Sequence, residues 1–324
     1  MELDELRENF VNNKIEKRTY WKMMREKYVG LLEYKKFLNG LDDETSICIK
    51  KDDIILDYND IKLSFDFSQA ICRAEGILNM GGNPEQDDFD FLISCISAGD
   101  VFLDIGANVG IVSLYVNRHA PQVGAVYAFE PLPPTYEHLK HNLLLNGNPE
   151  KIHTFNIGLS NNKGSVDFYL SGADEAASMQ PNMDEYYMQE CIDGVYTGKK
   201  KMEKITCAVD TLDSFVDMHN IENVDIIKID TEGNEYNVLK GGTNVLKKYT
   251  PLVYSEMLRK HAARFGYHPN EIIDFMGTLG YVCFVFSEGK LKRFGYMSED
   301  TVETNFFFLH KEKHRDVMDR FIAR

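Results

Sequence analysis

Short apolar segments alternate with helical patterns from about residue 100 onward. The segments 101–105 (VFLDI), 125–130 (AVYAFE) and 224–230 (VDIIKID) have no regular polar alternation, which is typical of strands buried on both faces. Further strands are predicted at 151–159, 251–257, 281–286 and 304–310, and helices at 110–118, 133–146, 234–248 and 271–280. This order predicts an α/β fold with a doubly wound, mostly parallel sheet.

The first 80 residues follow a different pattern. Apolar residues recur near helical spacing over residues 4–39, which predicts one or two amphipathic helices. Short β-branched runs separated by Asp and Asn then predict a small β-meander over 45–68. We therefore expect an N-terminal helical and β-hairpin cap over 1–80, followed by the α/β domain over 81–324. A cap on the main domain is favoured over an arm that binds a partner.

Residues 171–203 interrupt the alternation of predicted strands and helices, because their polarity is mixed and follows no regular period. Long irregular insertions in compact domains are typically lids or binding loops, or else disordered. We expect this segment to be a substrate lid.

The composition excludes several classes of protein. The chain has 324 residues with 36 Lys and Arg against 51 Asp and Glu, so its formal charge of −15 disfavours nucleic-acid binding. The six cysteines form no C-x-x-C pair, so neither a structural zinc nor a disulfide framework is predicted. The N-terminus has no apolar signal segment, and the apolar runs are too short to span a bilayer. We expect a cytoplasmic protein without a membrane span.

The strongest local motif follows the predicted strand at 101–105 and reads Asp104-Ile-Gly106-Ala-Asn108-Val-Gly110. Gly106 allows a sharp turn, and Gly110 allows backbone and helix to approach closely. The N–H groups at the start of the helix favour an anionic ligand group. Glu130 ends the next strand, where a carboxylate can accept hydrogen bonds from both hydroxyls of a ribose.

This motif departs from the dinucleotide fingerprint G-x-G-x-x-G. Asn108 stands where the second glycine belongs, and neither position 111 nor position 113 is glycine. Asp104, two residues before the first glycine, suits a ligand that carries a cationic amino group. Together these features favour S-adenosylmethionine over NAD. Asn156 and Ile157 are predicted to contact the adenine.

A second motif, DIIKIDTEGNE, places Asp230 at the carboxyl end of a strand, where open α/β sheets bind ligands. Asp230 is therefore predicted to lie at the active centre, with capping of the helix near residue 234 as the alternative. Glu232 and Glu235 begin that helix. Acids in a first helical turn are also favoured by the helix dipole, and for Glu235 this alternative stays open.

A reaction at a substrate hydroxyl benefits from a base that takes the hydroxyl proton. Glu256 ends the predicted strand at 251–257, and His261 follows it, although a surface histidine is the favoured interpretation of His261. Asp230, Glu232 and Glu256 could also bind Mg²⁺ through oxygen atoms, but no spacing requires it and no metal is predicted. The candidate bases are Asp230, Glu232, Glu256 and His261.

These segments resemble the FkbM family of S-adenosylmethionine-dependent methyltransferases. VFLDIGANVGIVSLY resembles its first motif, YAFEP its second and NIGLS its third-strand segment. TLDSFV with DIIKIDTEGNEYNVLKGG resembles its most characteristic stretch, and LVYSEM and TNFFFL its later strands. The resemblance covers about residues 70–310 without 171–203. It implies a class I (Rossmann-like) methyltransferase fold and, usually, O-methylation of a hydroxyl on a sugar, glycan or secondary metabolite.

One departure from the family is Thr231, where the family commonly has Val. The resemblance does not extend to the first 70 residues or to the segment 171–203, so the identity of the small-molecule or glycan acceptor stays open. Two other classes also stay open. An NAD-dependent oxidoreductase is disfavoured by Asn108, and a non-catalytic binding protein is disfavoured because the loop and the strand-end acids are intact.

Overall fold

The computed structural model describes residues 3–38, 47–50, 53–65, 73–80, 82–170, 179 and 203–322. The predicted lid at 171–203 lies outside the described residues, apart from Met179 and Glu203. Within the described part of the chain, no helix has the length and apolar character needed to cross a bilayer.

The N-terminal part contains the predicted helices and a three-stranded antiparallel sheet. Its elements are α1 (Leu3–Val11), α2 (Lys17–Leu38), β1 (Ile47–Lys50), β2 (Asp53–Tyr58), β3 (Ile61–Ser64), α3 (Arg73–Met80) and α4 (Gln86–Ser94). Leu6, Tyr20 and Met24 are fully buried in the same apolar cluster as Phe102 and Val126 of the main sheet. The N-terminal part therefore shares a core with the α/β part, and the domain boundary at residue 80 stays a prediction.

Strands and helices alternate through the rest of the chain. They are β4 (Val101–Ile105), α5 (Ile111–His119), β5 (Ala125–Phe129), α6 (Pro133–Leu145), β6 (Ile152–Phe155), β7 (Gly158–Ser160), β8 (Gly164–Leu170), β9 (Glu203–Thr211), α7 (Leu212–Met218), β10 (Ile226–Ile229), α8 (Glu235–Gly241), α9 (Thr243–Tyr249), β11 (Leu252–Glu256), α10 (Arg259–Arg264), α11 (Pro269–Thr278), β12 (Tyr281–Ser287), β13 (Lys290–Arg293), β14 (Asn305–His310) and α12 (Arg315–Phe321).

The main sheet has eight strands in the order β6-β5-β4-β10-β11-β14-β12-β13. The strands from β6 to β11 are parallel, and β14 runs antiparallel to both β11 and β12. The order of strands reverses between β4 and β10, which pair in register with Ile105 opposite Ile229. Open α/β sheets bind their ligands at such a switch point, beyond the carboxyl ends of the strands. The predicted doubly wound, mostly parallel sheet is confirmed.

Two predicted elements are divided in the structure. The single strand predicted at 151–159 is wrong, because β6 belongs to the main sheet whereas β7 pairs with β9 in a separate sheet. The single helix predicted at 234–248 is also wrong, because it breaks at Gly242 into α8 and α9. A Cβ at Gly242 would lie 2.6 Å from Leu212 Cδ2, so close packing against α7 accounts for the glycine at this break.

The buried imidazole of His314 should make folding sensitive to acid. Its Nδ1 accepts a hydrogen bond from the backbone N–H of His310 at 2.8 Å, and only 9% of the residue is exposed. Burial, together with the smaller effects of the neighbouring Lys313 and His310, lowers the pKa of His314 to about 4. Because the unfolded chain then binds the proton more tightly, this stability is present above the unfolded pKa of about 6.5 and is lost as the pH falls toward 4.

We expect His314→Gln to reduce the loss of unfolding free energy between pH 7 and pH 4 by about 2–3 kcal/mol. Urea unfolding at several pH values measures this difference. The exposed His153 offers a matched control, since His153→Gln should leave the pH dependence as it is in the parent protein. An unchanged pH dependence in His314→Gln would show that other groups cause the acid sensitivity.

Candidate active site

A cleft of about 170 Å³ lies at the carboxyl ends of β4 and β10. Its walls come from the loop after β4, from the ends of β5, β10 and β11, and from the segment that precedes β4. The lining residues include Gly106, Ala107, Asn108, Glu130, Leu132, Gly158, Leu159, Asp230, Glu232, Glu256, Arg73, Glu85 and Phe89. The two motifs singled out in the sequence therefore meet at one cleft.

The turn after β4 requires left-handed backbone conformations. Gly106, Asn108 and Gly110 have φ values of 77°, 51° and 87°. A Cβ at Gly106 would lie 1.8 Å from the carbonyl oxygen of Asp230, because the chain segments after β4 and β10 touch there. Gly106 therefore serves both the turn and the contact between the two segments.

The backbone N–H groups of residues 106–110 all have acceptors within the protein. Gly106 and Ala107 donate to Phe129 O at 3.0 and 2.8 Å, Asn108 to Glu130 Oε2 at 3.0 Å, Val109 to Asn108 Oδ1 at 2.7 Å, and Gly110 to Ala107 O at 2.8 Å. Within residues 106–110 no backbone N–H is therefore left for an anionic ligand group, and binding of such a group at the start of the helix stays a prediction. The side chains of Asn108 and Glu130 take up the donors that a pyrophosphate would need.

Glu130 is fixed at the edge of the cleft by the backbone on both sides. Its Oε2 accepts from the N–H of Asn108 at 3.0 Å, and its Oε1 accepts from the N–H of Leu132 at 2.9 Å. A carboxylate oxygen can accept more than one hydrogen bond, so this group can also receive bonds from a ligand in the cleft. The geometry suits a pair of neighbouring hydroxyls.

Asp104 lies behind the cleft instead of lining it. The residue is 0% exposed, and its Oδ2 accepts a 2.6 Å hydrogen bond from Ser113 Oγ. Its Oδ1 is 3.3 Å from Lys228 Nζ, which also donates to Gly106 O at 2.6 Å. The structure therefore places Asp104 away from direct contact with a ligand in the cleft. Its carboxylate pairs with the Lys228 ammonium instead.

Lys228 lines the cleft and belongs to the second motif, although it was not among the predicted site residues. Burial by itself would lower the pKa of Lys228, but the carboxylates of Asp104 and Asp230 outweigh burial and raise it. The Asp230 carboxylate lies 3.6 Å from the ammonium group. A lone lysine inside an apolar strand was the signal that could have identified it, because a buried charge requires partners.

The remaining predicted cofactor residues have supporting positions. A Cβ at Gly110 would lie 3.3 Å from Leu139 Cγ, so this glycine allows α5 and α6 to approach closely. The Asn156 amide donates to Glu130 O and Pro131 O, both at 2.9 Å, and thereby holds the chain after β5. Ile157 packs against the apolar core of the sheet. Neither Asn156 nor Ile157 is among the lining residues, whereas the next residue, Gly158, is.

Asp230, Glu232 and Glu256 line the cleft, and His261 lies directly behind them. His261 is only 8% exposed, so the interpretation as a surface histidine is wrong. Its Nδ1 lies 2.9 Å from Glu232 Oε2. Burial raises the pKa of Glu256 well above its ordinary value, and the carboxylates of Asp230 and Glu232 raise it further.

Glu235 holds the turn that carries these acids. Its Oε1 accepts hydrogen bonds from the N–H groups of Thr231 and Gly233 at 2.9 and 3.0 Å, and its Oε2 accepts from the Tyr267 hydroxyl at 3.1 Å. The helix α8 begins after Asn234, and no side chain caps it. The alternative that Asp230 caps this helix is therefore wrong, and the Asp230 side chain is available to the cleft.

The segment before β4 contributes residues that no motif predicted. Arg73 and Glu85 form an ion pair of 2.7 Å at the wall of the cleft. Asn305 of β14 also lines the cleft and donates to Asp88 at 3.2 Å. These residues are far from the two motifs along the chain, so only the folded structure brings them to the site.

A doubly wound sheet with a glycine turn and strand-end acids at its switch point is typical of Rossmann-like folds that bind nucleotide-type cofactors. The model of the methyltransferase FkbM domain matches residues 104–283, and the chain belongs to this family. The family membership implied by the sequence is confirmed.

Several named methyltransferases are similar to this chain. Methyltransferase sdnD of Sordaria araneosa is 28% identical over 48% of this chain and 64% of its own length. The hexuronic acid methyltransferase AglP of Haloferax volcanii is 26% identical over 50% of this chain and 58% of its own length. The 2-O-methyltransferase NoeI of Sinorhizobium fredii is 25% identical over 51% of this chain and 66% of its own length. The chain thus spans less than two thirds of each of these relatives.

Among solved structures, methyltransferase FkbM of Methylobacillus flagellatus is 15% identical to this chain with a TM-score of 0.40. That match covers 65% of this chain and 43% of the other.

Proposed function

We propose that this protein transfers a methyl group from S-adenosylmethionine to a hydroxyl of a sugar, glycan or secondary metabolite. The observation that carries the proposal is the Glu130 carboxylate, which two backbone N–H groups hold at the edge of the cleft that Asp230 also lines. Glu130 would bind the ribose hydroxyls, and Asp230 would act on the acceptor. A cytoplasmic location and the absence of nucleic-acid binding stay predictions from the sequence.

The chemistry of the cleft fits the cofactor. Glu130 offers a charged acceptor for the two ribose hydroxyls, and Leu132, Leu159 and Phe168 supply apolar surface for the adenine. When it is bound, S-adenosylmethionine supplies a methyl group activated by a sulfonium. The chain's own part is to hold cofactor and acceptor in line and to exclude water.

The loop disfavours the alternative of an NAD-dependent oxidoreductase. Pyrophosphate binding uses exposed backbone N–H groups at the start of a helix. In this loop, the N–H of Asn108 donates to Glu130, and the N–H of Val109 donates to the side chain of Asn108. A dinucleotide would have to break these hydrogen bonds, whereas a ligand without a pyrophosphate would leave them intact.

The acceptor would enter between the strand-end acids and the segment before β4. Asp230 and Glu256 line the cleft together with Arg73 and Glu85. Carboxylates and a guanidinium hydrogen-bond well to hydroxyl groups, which favours a polyhydroxylated acceptor. The names of two relatives, a hexuronic acid methyltransferase and a 2-O-methyltransferase, support an acceptor of this kind.

Replacing Glu130 with Ala should weaken the binding of S-adenosylmethionine at least about tenfold, since each unmet polar group costs about 1–3 kcal/mol. Isothermal titration with S-adenosylmethionine measures the change. The exposed Glu137 of α6 provides a matched control, because Glu137→Ala lies outside the cleft and should bind normally. Equal affinity in the parent and in Glu130→Ala would refute the ribose assignment.

The same titration with NAD separates the two classes of cofactor. We expect S-adenosylmethionine to bind and NAD to give no saturable heat. A screen of hydroxylated acceptors, followed by mass spectrometry for the gain of one methyl group, then tests the reaction. Binding of NAD in place of S-adenosylmethionine would overturn the proposed function.

A further inference from the structure

Three potential metal ligands converge at the acidic wall of the cleft. Glu232 lies in the turn after β10, Glu256 ends β11, and His261 lies in α10. Their donor atoms all lie within 4.8 Å of one another. Ligand atoms bound to one cation at about 2.1–2.3 Å lie roughly 3 Å apart, so small side-chain movements would complete a coordination shell.

His261 points to a ligand independently of the acids. The residue is more than nine-tenths buried, and its Nδ1 forms no hydrogen bond of acceptable geometry within the described part of the chain. The nearest acid, Glu232, has its Oε2 2.9 Å from that nitrogen. A buried polar atom without a hydrogen bond is costly, and a bound cation would satisfy it.

The local charges also favour a cation. The carboxylates of Glu232 and Glu256 converge, and Asp230 adds a third carboxylate to the lining of the same cleft. The buried ammonium of Lys228 lies within ion-pair distance of Asp104 and Asp230. A divalent cation between Glu232 and Glu256 would offset the remaining negative charge.

The backbone around the three ligands is closely packed. A Cβ at Gly233 would lie 2.6 Å from the carbonyl oxygen of His261, so the turn after β10 sits directly against α10. The hydrogen bonds that Glu235 accepts also hold this turn. The ligands are therefore held by supported backbone, as a metal site requires.

We propose that Glu232, Glu256 and His261 bind one divalent cation, of which Mn²⁺ fits best. Two carboxylates and one imidazole combine the ligand types preferred by hard cations and by transition metals, and Mn²⁺ accepts both. Three protein ligands leave coordination positions open, and Glu232 and Glu256 line the cleft into which those positions would face.

A cation there would bind the acceptor hydroxyl through its oxygen and lower the pKa of that hydroxyl. The hydroxyl proton would pass to the Asp230 carboxylate at the same wall of the cleft. This role rests on the proposed function, whereas binding of the cation does not. Glu232 and Glu256 were weighed as ligands of Mg²⁺ from the sequence, but His261 was not, because no ligand-type spacing joins the three positions along the chain.

The test is a titration of the full chain with Mn²⁺ after removal of metals by a chelator. Electron paramagnetic resonance reports the free Mn²⁺, and we expect one saturable site per chain. His261→Gln and Glu256→Gln should each weaken that site by more than about tenfold. Exposed His153 lies outside the cluster, so His153→Gln is the matched control and should bind like the parent.

A thermal measurement keeps the test valid if a variant is less stable. At a hundredfold excess over Kd, Mn²⁺ should raise the Tm of the parent by about 3–5 °C, and it should not raise the Tm of either variant. The absence of a saturable site, or unchanged affinity in both variants, would overturn the proposal and leave Glu232 and His261 as an ion pair. Titration with S-adenosylmethionine alone separates this result from failure of the proposed function, since each ligand is measured without the other.

Discussion

Replacing Lys228 with Met should lower the free energy of unfolding by about 3–5 kcal/mol, because the carboxylate of Asp104 would then be buried without its charge partner. Asp104 is 0% exposed, and its Oδ1 lies 3.3 Å from the Lys228 ammonium. The substitution also removes the 2.6 Å hydrogen bond that Lys228 donates to Gly106 O. Urea unfolding at pH 7 measures the loss.

The double variant Asp104→Asn with Lys228→Met separates the ion pair from general damage to the strands. Asn keeps an oxygen for the hydrogen bond from Ser113 and carries no charge. If the loss arises from the unpaired carboxylate, the double variant should be clearly more stable than Lys228→Met alone. A double variant at least as unstable as Lys228→Met would show that packing, not charge, explains the loss.

The sequence predicted the parts of the fold in which the hydrophobic pattern of a segment matches its burial in the folded protein. The apolar segments at 101–105 and 224–230 became the paired central strands β4 and β10. The prediction failed at 151–159, where Asn156 bonds to the chain after β5 and the next residues join a different sheet. A side-chain amide that redirects a strand leaves no trace in hydrophobic periodicity.

At the candidate site, too, the sequence predicted only those residues whose position follows from a local pattern. The positions of Gly106 and Asp230 at the site were predictable, because each residue belongs to a motif that directly follows a predicted strand. The burial of His261 was not, because it depends on the close approach of Gly233 to α10. The wall formed by Arg73 and Glu85 was not predictable either, because their ion pair lies in a segment without a motif. Residues that reach a site only through packing need the folded structure.

Replacing Asp230 with Asn should reduce kcat by about 10²–10⁴ while the affinity for S-adenosylmethionine changes little. Asp230 follows β10 at the switch point, its side chain is 42% exposed, and it lines the cleft. Its carboxylate lies 3.6 Å from the Lys228 ammonium, which keeps a positive charge beside it. Asn has nearly the same shape but cannot take up the hydroxyl proton, so the loss would fall on the chemical step.

The measurement compares kcat, KM and the affinity for S-adenosylmethionine once an acceptor has been identified. Exposed Asp217 of α7 lies outside the cleft, so Asp217→Asn provides a matched control with normal turnover. Weaker binding of S-adenosylmethionine with kcat recovered at saturation would assign Asp230 to holding the cofactor. Full activity of Asp230→Asn would remove it from the catalytic residues. Since Asp230 does not cap α8, a fall in kcat with normal folding would place its role in the chemistry of the cleft.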